Sequence, residues 1–485
     1  MTSKGFTRNF RPLEILTEDE VEAIHRGTLN VLEKTGVRVE HKGALKLFKQ
    51  NGCKVDYNEM RVRIPSCLVE ECLRKAPSSY YFKARDPERD VQIGGNTFYF
   101  EPFPGMRTVD LDTWKPRPAT EKERDDACVI LDALDSVQCI SPYTPYFEVE
   151  GVSPVMAIPE GVAAMLRNST KPQISTGHSR DSEIFTIEMA KAVGTEIGMN
   201  FNMAPPLTAH ADIVEAMFRA IQAGFPVWLT GGVAMGATGP ATLAGATIVN
   251  NAQNISGVVL SQLIKPGTRV MSSHSLSFAQ DMRSGALAFG GVEGMLHVAA
   301  FNQIWRKYEI PRNAGIPGIS SSKTMDFQSG YEKAMGALVA ALSGSSIIML
   351  HGGVYGELSW HPVQAILDDD IAGMVCRFIE GVEVNDETLA VDLINSVGPI
   401  PGMYLDKKHT RDWWKKEQFL PKVADRLSYP DWIKKGKKSA QDYAKVRMAD
   451  ILATHKPKPL NASQEEEIER ILEEARHYYQ KKGMM

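Results

Sequence analysis

The chain has 485 residues and a formal net charge of −4, with 43% hydrophobic and 24% charged residues. This length exceeds that of a usual single core, so one large domain with additions, or two to three domains, is expected. The small net charge gives no electrostatic argument for binding nucleic acid or an anionic membrane. The N-terminus lacks the apolar stretch of a signal peptide, and no apolar run approaches the ~20 residues of a membrane span, so a cytoplasmic protein is expected.

Residues 1–92 are predicted to form a small α+β region. Residues 17–35 carry a Thr cap, early acidic residues and apolar residues at helical spacing, which predicts an amphipathic helix that Gly36 ends. Short strands are expected at residues 37–39 and 61–64, with a second helix near residues 66–75. The six cysteines of the chain show no Cys-x-x-Cys spacing and predict reduced, mostly buried thiols.

From residue 93 to residue 380, apolar strand candidates alternate with helical patterns. The strand candidates are residues 97–100, 137–141, 173–176, 199–203, 226–230, 269–272, 313–318 and 346–350. The helical patterns are residues 184–193, 213–223, 240–264, 291–307, 328–343 and 362–378. Eight strands spaced by roughly 35 residues match a (β/α)8 barrel better than an open doubly wound sheet. The expected fold class is therefore α/β, a TIM barrel with the small N-terminal region and a C-terminal helical extension.

Residues 381–485 form the predicted C-terminal helical extension, in which charged residues surround Trp413, Trp414 and Trp432. A Lys-Pro-Lys-Pro break precedes a charged terminal helix, for which Ser463 is the expected cap. We expect this extension to pack on the barrel or on another subunit, so a homo-oligomer is possible. The acidic run at residues 368–370 lies in a predicted helix and is expected to be a solvated face.

Residues 225–246 read as one strand-loop-helix unit with a glycine-rich connection. An apolar run at residues 227–229 predicts a strand buried on both faces, and Pro240 is expected at the first position of the helix. The loop carries four glycines, Gly231, Gly232, Gly236 and Gly239. No Gly-Lys-Ser/Thr follows, so the loop does not read as a phosphate loop. The break before Pro240 suits a close backbone approach to something flat and large.

In barrel enzymes the functional groups lie at the C-terminal ends of the strands, on the loops that lead into the helices. Polar and aromatic residues follow the strand candidates at Glu101, Phe103, Tyr143, Tyr146, His178, His210, Lys323, His274, His351 and Tyr355. Each has a plainer interpretation, because a histidine there is often a hydrogen-bonded structural residue and aromatics can simply fill the barrel mouth. Arg283 could equally be a surface residue.

Two other enzyme classes lack their usual signals. A metal-hydrolase barrel would use the histidines as zinc ligands and typically shows His-x-His on its first strand. Here that strand reads Phe-Tyr-Phe-Glu at residues 98–101, which argues against metal hydrolysis. No Gly-x-Ser-x-Gly nucleophile elbow is present.

Four stretches together resemble the trimethylamine methyltransferase family. They are GATGPATLAGA at 236–246, DMRSGA at 281–286, SSKTMDFQSGYEKA at 321–334 and VEVNDETLA at 382–390. The resemblance implies a (β/α)8 barrel that passes a methyl group from an amine to the cobalt of a corrinoid on a separate cognate protein. Founding members use pyrrolysine. This chain has only standard residues and so resembles the branch without pyrrolysine, whose members demethylate quaternary amines.

This resemblance implies that the nucleophile is Co(I) of the corrinoid and that no general acid is needed, because a quaternary ammonium leaves as a neutral amine. The protein must then position the reactants. Positioning is expected from His274 and His351, which with Lys323 and Arg283 are candidates for holding a substrate carboxylate. The expected substrate contacts are Phe103, Tyr143, Tyr146, His210, Trp228, Lys323, Tyr355 and Arg283. The four loop glycines are expected to face the corrin ring, and no tightly bound metal is expected.

The leading hypothesis is methyl transfer from glycine betaine, giving dimethylglycine, to Co(I) of a cognate corrinoid protein. Proline betaine and carnitine are alternative substrates. A non-catalytic protein that binds quaternary amines, or a zinc hydrolase, remains an alternative of a different class.

Overall fold

The computed structural model describes residues 5–141, 147–176, 178, 180–275, 277–356 and 358–485. A closed sheet of eight parallel strands lies at its centre. The strands are β1 (Thr97–Pro102), β2 (residues 137–140), β3 (Gln173–Ser175), β4 (Ile197–Met203), β5 (Val227–Gly231), β6 (Val270–Ser273), β7 (Arg312–Ala314) and β8 (Ile347–His351). Strands β3 to β8 pair in sequence, and β8 pairs with β1. Single bridges of Val137 with Phe100 and of Ile140 with Gln173 close the ring through β2. The predicted (β/α)8 barrel is confirmed.

One helix follows each barrel strand and covers its outer face. In order they are Glu121–Ala133, Ala157–Asn168, Ser182–Ala192, Ala211–Gln222, Leu243–Ile264, Val292–Lys307, Phe327–Ser343 and Pro362–Glu380. The sequence did not predict the first two. Pro240 does not begin the fifth helix, which starts at Leu243 after Thr242. The chain before this helix instead forms a strand, Val233–Met235, which pairs with the strand Ser277–Gln280.

The N-terminal region packs on the side of the barrel. Its helices are Glu18–Lys34, Lys42–Gln50 and Ser66–Lys75, and its strands are Val37–Val39, Lys54–Asp56 and Arg61–Arg63, joined by Thr208–Ala209. Thr17 caps the first helix with a reciprocal bond to Glu20, as predicted. The first and third of these helices cover Leu243–Ile264, and they help to bury polar residues on that side such as Asn251, which donates to the Tyr308 hydroxyl beside His25.

A hairpin of Ser79–Phe82 and Val91–Gly94 fills the N-terminal end of the barrel. Its inward side chains form one apolar cluster with residues of the strands. The cluster contains Tyr80, Phe82, Val91, Ile93, Tyr99, Cys139, Ile174, Trp228, Met271 and Ile347. The half of the barrel interior near the N-terminal ends of the strands, which we call the lower half, is therefore apolar and packed. At the opposite end, short strands add a border of small sheets, namely Arg107–Val109, Pro116–Arg117, Leu287–Ala288, Gly353–Val354 and Ser359–Trp360.

The C-terminal extension contains six helices, Asp386–Leu389, Val391–Val397, Lys408–Glu417, Tyr429–Lys434, Ala440–Thr454 and Ala462–Lys481. The last two pack on the outer helices of the barrel. Asn461, rather than Ser463, caps the terminal helix. The divisions at residues 93 and 381 stay a prediction. None of the described helices combines the length and apolar character that crossing a bilayer requires.

The acidic run at residues 368–370 is buried, so the predicted solvated face is wrong. Asp368 and Lys333 form a fully buried ion pair at 2.7 Å. Asp369 accepts a hydrogen bond from Ser136, and Asp370 accepts three from the backbone N–H groups of residues 422–424. These partners lie far away in the chain, and the run fixes the extension to the barrel.

Candidate active site

Inward side chains of the barrel change from apolar to polar toward the C-terminal ends of the strands. We call Glu101, Thr176, Asn200, Thr230, Ser273, Ser275 and Asn313 the polar layer. Thr230 Oγ1 donates to Asn200 Oδ1 at 2.7 Å, and Asn200 Nδ2 donates to Thr176 Oγ1 at 3.3 Å. Ser275 Oγ donates to Asn313 Oδ1 at 3.1 Å. The layer lies directly above the apolar cluster that fills the lower barrel, because side chains two residues apart on a strand share a face.

Glu101 is the one carboxyl group of the polar layer, and it is only 1% exposed. Its Oε1 accepts a hydrogen bond from Asn313 Nδ2 at 2.6 Å, while Oε2 has no partner among the described residues. Burial raises the pKa of Glu101 to about 8, and the bond from Asn313 opposes this only in part. With no cation beside it, the Glu101 carboxyl is therefore mostly protonated at neutral pH, and a nearby positive charge favours its ionisation.

An apolar cluster lies over one side of the polar layer. We call it the mouth cluster; it contains Phe103, Phe278, Ile316, Ile319 and Met349, with Leu287 and Phe289 beside it. Phe278 and Phe289 meet edge to face with ring centroids 5.0 Å apart. Ser275 Oγ contacts Met349 Sδ at 3.4 Å and so joins the cluster to the polar layer. The structure places predicted Phe103 in this cluster.

Lys323 and Tyr355 come together beside the mouth cluster, as two predicted residues from different loops. The ammonium of Lys323 lies 4.7 Å from the centroid of the Tyr355 ring and donates to the Ser321 carbonyl at 2.7 Å. A Cβ at the neighbouring Gly356 would lie 2.5 Å from the Phe289 ring, which shows how closely this loop approaches the cluster. Lys323 is exposed and places a cation at the barrel rim.

His274 and His351 do not face the polar layer. Because Ser273 points inward, the next side chain, His274, points outward, where its Nε2 bonds His297 Nδ1 at 2.8 Å. His351 Nε2 bonds Ser136 Oγ at 3.0 Å behind the barrel wall. Burial lowers the pKa of His274 well below its usual range and that of His351 to about 3, so both are neutral. The predicted role in positioning a substrate does not fit these placements.

Three other predicted contacts also lie away from the polar layer. Trp228 does not line the mouth but belongs to the lower apolar cluster, edge-on to Phe82 with centroids 6.1 Å apart. His210 is 53% exposed and bonds Glu40 of the N-terminal region at 2.9 Å. Arg283 is 91% exposed and pairs with Asp281 at 2.9 Å. Tyr143 and Tyr146 lie outside the described residues.

The glycine loop is mostly covered by its own helix. The N–H of Gly231 donates to Asn254 Oδ1 at 2.5 Å, and Gln253 Nε2 donates to the Gly232 carbonyl at 2.9 Å. A Cβ at Gly239 would lie 2.2 Å from Val233. These three glycines therefore serve packing rather than a face open to a corrin ring. Gly236, with φ of +94° in an exposed turn, is the one that reaches the surface.

The predicted substrate contacts include no residue of the polar layer and, from the mouth cluster, only Phe103. Glu101 follows the first strand candidate in the sequence but is not a predicted substrate contact, and neither is Asn313 or Phe278. The sequence does contain a signal for Glu101. Tyr99 and Glu101 share one face of β1, and a carboxyl group on the buried face of a strand indicates a functional or structural role. Within the described ranges, no three His, Cys, Asp or Glu side chains meet as metal ligands would.

Comparisons with known proteins agree with this architecture. Residues 1–477 match the family described as trimethylamine methyltransferase (MTTB). The chain is 31% identical over 466 residues to a glycine betaine methyltransferase of Desulfitobacterium hafniense strain Y51, covering 92% of this chain and 94% of that protein. It is 29% identical over 476 residues to the trimethylamine methyltransferase MttB of Desulfitobacterium hafniense strain DSM 10664 / DCB-2, covering 96% and 94%.

A solved structure, the hydroxylamine complex of MtmB, shares the fold with a TM-score of 0.51 at 13% identity, covering 96% of this chain and 93% of that one. The resemblance seen in the four sequence stretches is confirmed by the match along nearly the whole chain. The chain belongs to the trimethylamine methyltransferase family.

Proposed function

We propose that the protein transfers a methyl group from a quaternary amine, with glycine betaine as the best candidate, to Co(I) of a corrinoid carried by a cognate protein. The observation that carries the proposal is Glu101, a buried carboxyl with one unpartnered oxygen beside an aromatic and apolar cluster. A quaternary ammonium offers a positive charge but no N–H, and its methyl groups are apolar. Such a cation suits an anion that lies next to Phe103, Phe278 and Met349.

In the proposed reaction the Co(I) electron pair forms a bond to one methyl carbon, and the bond from that carbon to nitrogen breaks. Nitrogen keeps the bonding pair and leaves as a neutral tertiary amine, so no proton is transferred. The positive charge of the substrate disappears in this step, and Glu101 therefore favours the bound substrate rather than the transition state. The contribution of the chain is to bind, orient and exclude water.

Glycine betaine is chosen because one relative of the chain is a glycine betaine methyltransferase. The carboxyl of Glu101 alone would suit many cations. A betaine also carries a carboxylate, and of the four predicted partners for it only Lys323 lies near the mouth cluster and is not turned outward or ion-paired elsewhere. We therefore propose Lys323 as its partner. Tyr355, Tyr143 and Tyr146 stay proposed substrate contacts, and proline betaine and carnitine stay possible substrates.

A set of exposed apolar side chains at the rim supports a protein partner. Two helices begin at the rim, since each follows the C-terminal end of a strand. Their first turns expose Val292, Leu296, Phe327 and Tyr331, and Phe327 is 85% exposed. We call these four residues the rim patch. Exposed apolar patches commonly mark protein–protein contacts, and this one borders the mouth that a corrinoid must reach.

The experiment is methyl transfer by the purified full-length chain to free cob(I)alamin, followed by the spectral change from Co(I) to methyl-Co(III). Glycine betaine is expected to give the change, with dimethylglycine as the second product. A panel of trimethylamine, proline betaine and carnitine serves as the comparison. If neither glycine betaine nor any amine of the panel produces methyl-Co(III), while glycine betaine binds in calorimetry, the protein is a binding protein and the proposed reaction is wrong.

The rim patch has a separate test. Phe327→Asp is expected to leave transfer to free cob(I)alamin within about twofold and to weaken transfer to the protein-borne corrinoid at least about tenfold, because one apolar anchor residue can supply 1–3 kcal/mol of docking energy. Tyr57→Asp on the N-terminal region, 55% exposed, is the matched control. Equal losses with both acceptors would instead place Phe327 in the fold or the substrate site.

A further inference from the structure

Residues 382–416 leave the barrel as an arm and return to the point of departure. Arg377, on the last barrel helix, holds both ends of the arm together. Its Nη1 donates to the Gly381 carbonyl at 2.9 Å, where the arm begins. Its Nε and Nη2 donate to the carbonyl and the carboxylate of Glu417 at 2.9 Å, where the arm ends. The arm is thus a defined unit on a fixed base.

The arm exposes an unusual amount of apolar surface. Nine of its large apolar side chains are 41–95% exposed, namely Val382, Val384, Leu389, Val391, Ile394, Ile400, Met403, Tyr404 and Leu405. Its own small core consists of Trp413, whose Nε1 donates to Glu387 Oε1 at 3.1 Å and whose ring stacks on His409. Exposed apolar side chains gathered on one segment commonly mark a protein–protein contact, so we expect a partner to cover the arm.

An apolar groove of about 740 Å³ lies at the base of the arm. Apolar side chains from four parts of the chain line it, namely Phe10, Leu342, Met374, Phe378, Val382 and Phe419. Met374 and Phe378 lie one helical turn apart on Pro362–Glu380 and are 59% and 57% exposed. The chain's own arm leaves this groove open, because Val382 is the one residue of 382–416 that lines it.

Arm and groove lie at the end of the barrel opposite to the candidate active site. The helix Pro362–Glu380 begins after β8 at the rim and runs back, so its last residues reach the N-terminal end of the barrel. Phe6–Thr7, just before the groove residue Phe10, pairs with the first residues of β1 at that same end. A protein that delivers a cofactor to the mouth has no need of this face.

We infer that the arm of one copy fills the groove of a second copy, and that the second arm fills the first groove in return. Permanent interfaces between identical chains are large and apolar, and a two-fold arrangement uses the same two surfaces twice. Both halves of such an interface are present on this chain side by side. Only the exclusion of a cofactor carrier from this face rests on the proposed function; the sedimentation test below does not.

The test is sedimentation velocity of the full-length protein and two double variants. Ile400→Asp with Leu405→Asp alters the arm, and Met374→Asp with Phe378→Asp alters the groove. The wild type is expected to sediment as two or more copies of the 53.6 kDa chain, and each double variant as a monomer. Val446→Asp, at a half-exposed apolar position on the helix Ala440–Thr454, is the control and is expected to keep the assembly.

A mixture of the two double variants distinguishes arm exchange from other contacts. The arm variant keeps an intact groove and the groove variant keeps an intact arm, so one arm-groove pair can form and a dimer should return. A monomeric wild type, an arm variant that stays assembled, or a mixture that stays monomeric would each overturn the inference. Thermal unfolding of every variant shows whether it is folded. The milder Ile400→Ser with Leu405→Ser replaces an arm variant that is not.

Discussion

Replacing Glu101 by Gln tests whether its carboxyl binds the positive charge of the substrate. The amide has the same shape, and its oxygen can still accept the 2.6 Å hydrogen bond from Asn313, but it cannot ionise. The fold and the lining of the site should therefore persist. What disappears is one negative charge that can form at the mouth of the barrel.

The expected loss can be worked from the pKa of Glu101. A carboxylate and an ammonium about 4 Å apart attract by about 4 kcal/mol at the effective dielectric of protein sites. The pKa of about 8 means that roughly one carboxyl in ten is ionised at pH 7, so ionisation costs about 1.4 kcal/mol of this. The remainder, about 3 kcal/mol, corresponds to an affinity on the order of 100-fold weaker in the Gln variant.

The same pKa fixes the direction of the pH dependence. The raised pKa means that most Glu101 carboxyls are still protonated at pH 7, so a cation must displace this proton when it binds. Above pH 8 most carboxyls are already ionised, and the cation binds without that cost. Wild-type affinity for tetramethylammonium should rise about tenfold from pH 7 to pH 9 and level off above pH 8. The Gln variant should show no such rise.

Isothermal titration calorimetry checks both expectations, with tetramethylammonium as a cation that has no carboxylate and glycine betaine as the proposed substrate. At pH 7 the wild type should release close to one proton on binding, seen as a heat that depends on the buffer. Asp281→Asn removes a half-buried carboxylate at the rim and should change neither the affinity nor the proton release. An affinity of Glu101→Gln within twofold of wild type, or a wild-type affinity that is flat from pH 7 to pH 9, would refute the assignment.

Three further substitutions probe other parts of the structure. Lys323→Ala should weaken glycine betaine about tenfold and leave tetramethylammonium unchanged, because only the betaine has a carboxylate; equal losses in calorimetry would contradict this. Asp368→Asn leaves the Lys333 ammonium buried without its anion and should lower the free energy of unfolding in urea by about 3–5 kcal/mol; a loss below about 1 kcal/mol would show that the pair is dispensable. Arg283→Ala should keep KM for the amine within about twofold in the cob(I)alamin assay, and a larger rise would return Arg283 to the site.

The barrel could be predicted from the sequence because its strands are apolar runs set at a regular distance between helical patterns. All eight strand candidates overlap barrel strands, although β2 is reduced to two bridges. Helix ends were predicted where the signal is local, as at Thr17, and missed where it is not. The fifth helix begins at Leu243 because the preceding turn pairs with a strand more than 30 residues later.

The site was harder to predict because both faces of a barrel strand are buried. Alternation then separates two sets of side chains without telling which set points inward. Ser273 and His274 are neighbours, yet the serine lies in the polar layer and the histidine behind the wall. A histidine attracts functional interpretation more readily than a serine or an asparagine, and here the less conspicuous residues line the interior. The acidic run at 368–370 failed for a related reason, since Lys333 and Lys422 become its neighbours only after folding.

The hairpin of Ser79–Phe82 and Val91–Gly94 closes the far end of the barrel with packed aromatic and aliphatic side chains. In the proposed reaction, the amine and the corrin must then use the same opening. Once the corrin sits over the mouth, a small molecule has no way past it. The methyl donor has to enter first, and the demethylated amine can depart only after the carrier has withdrawn. The sequence of arrivals and departures in each turnover thus follows from which end of the barrel is closed.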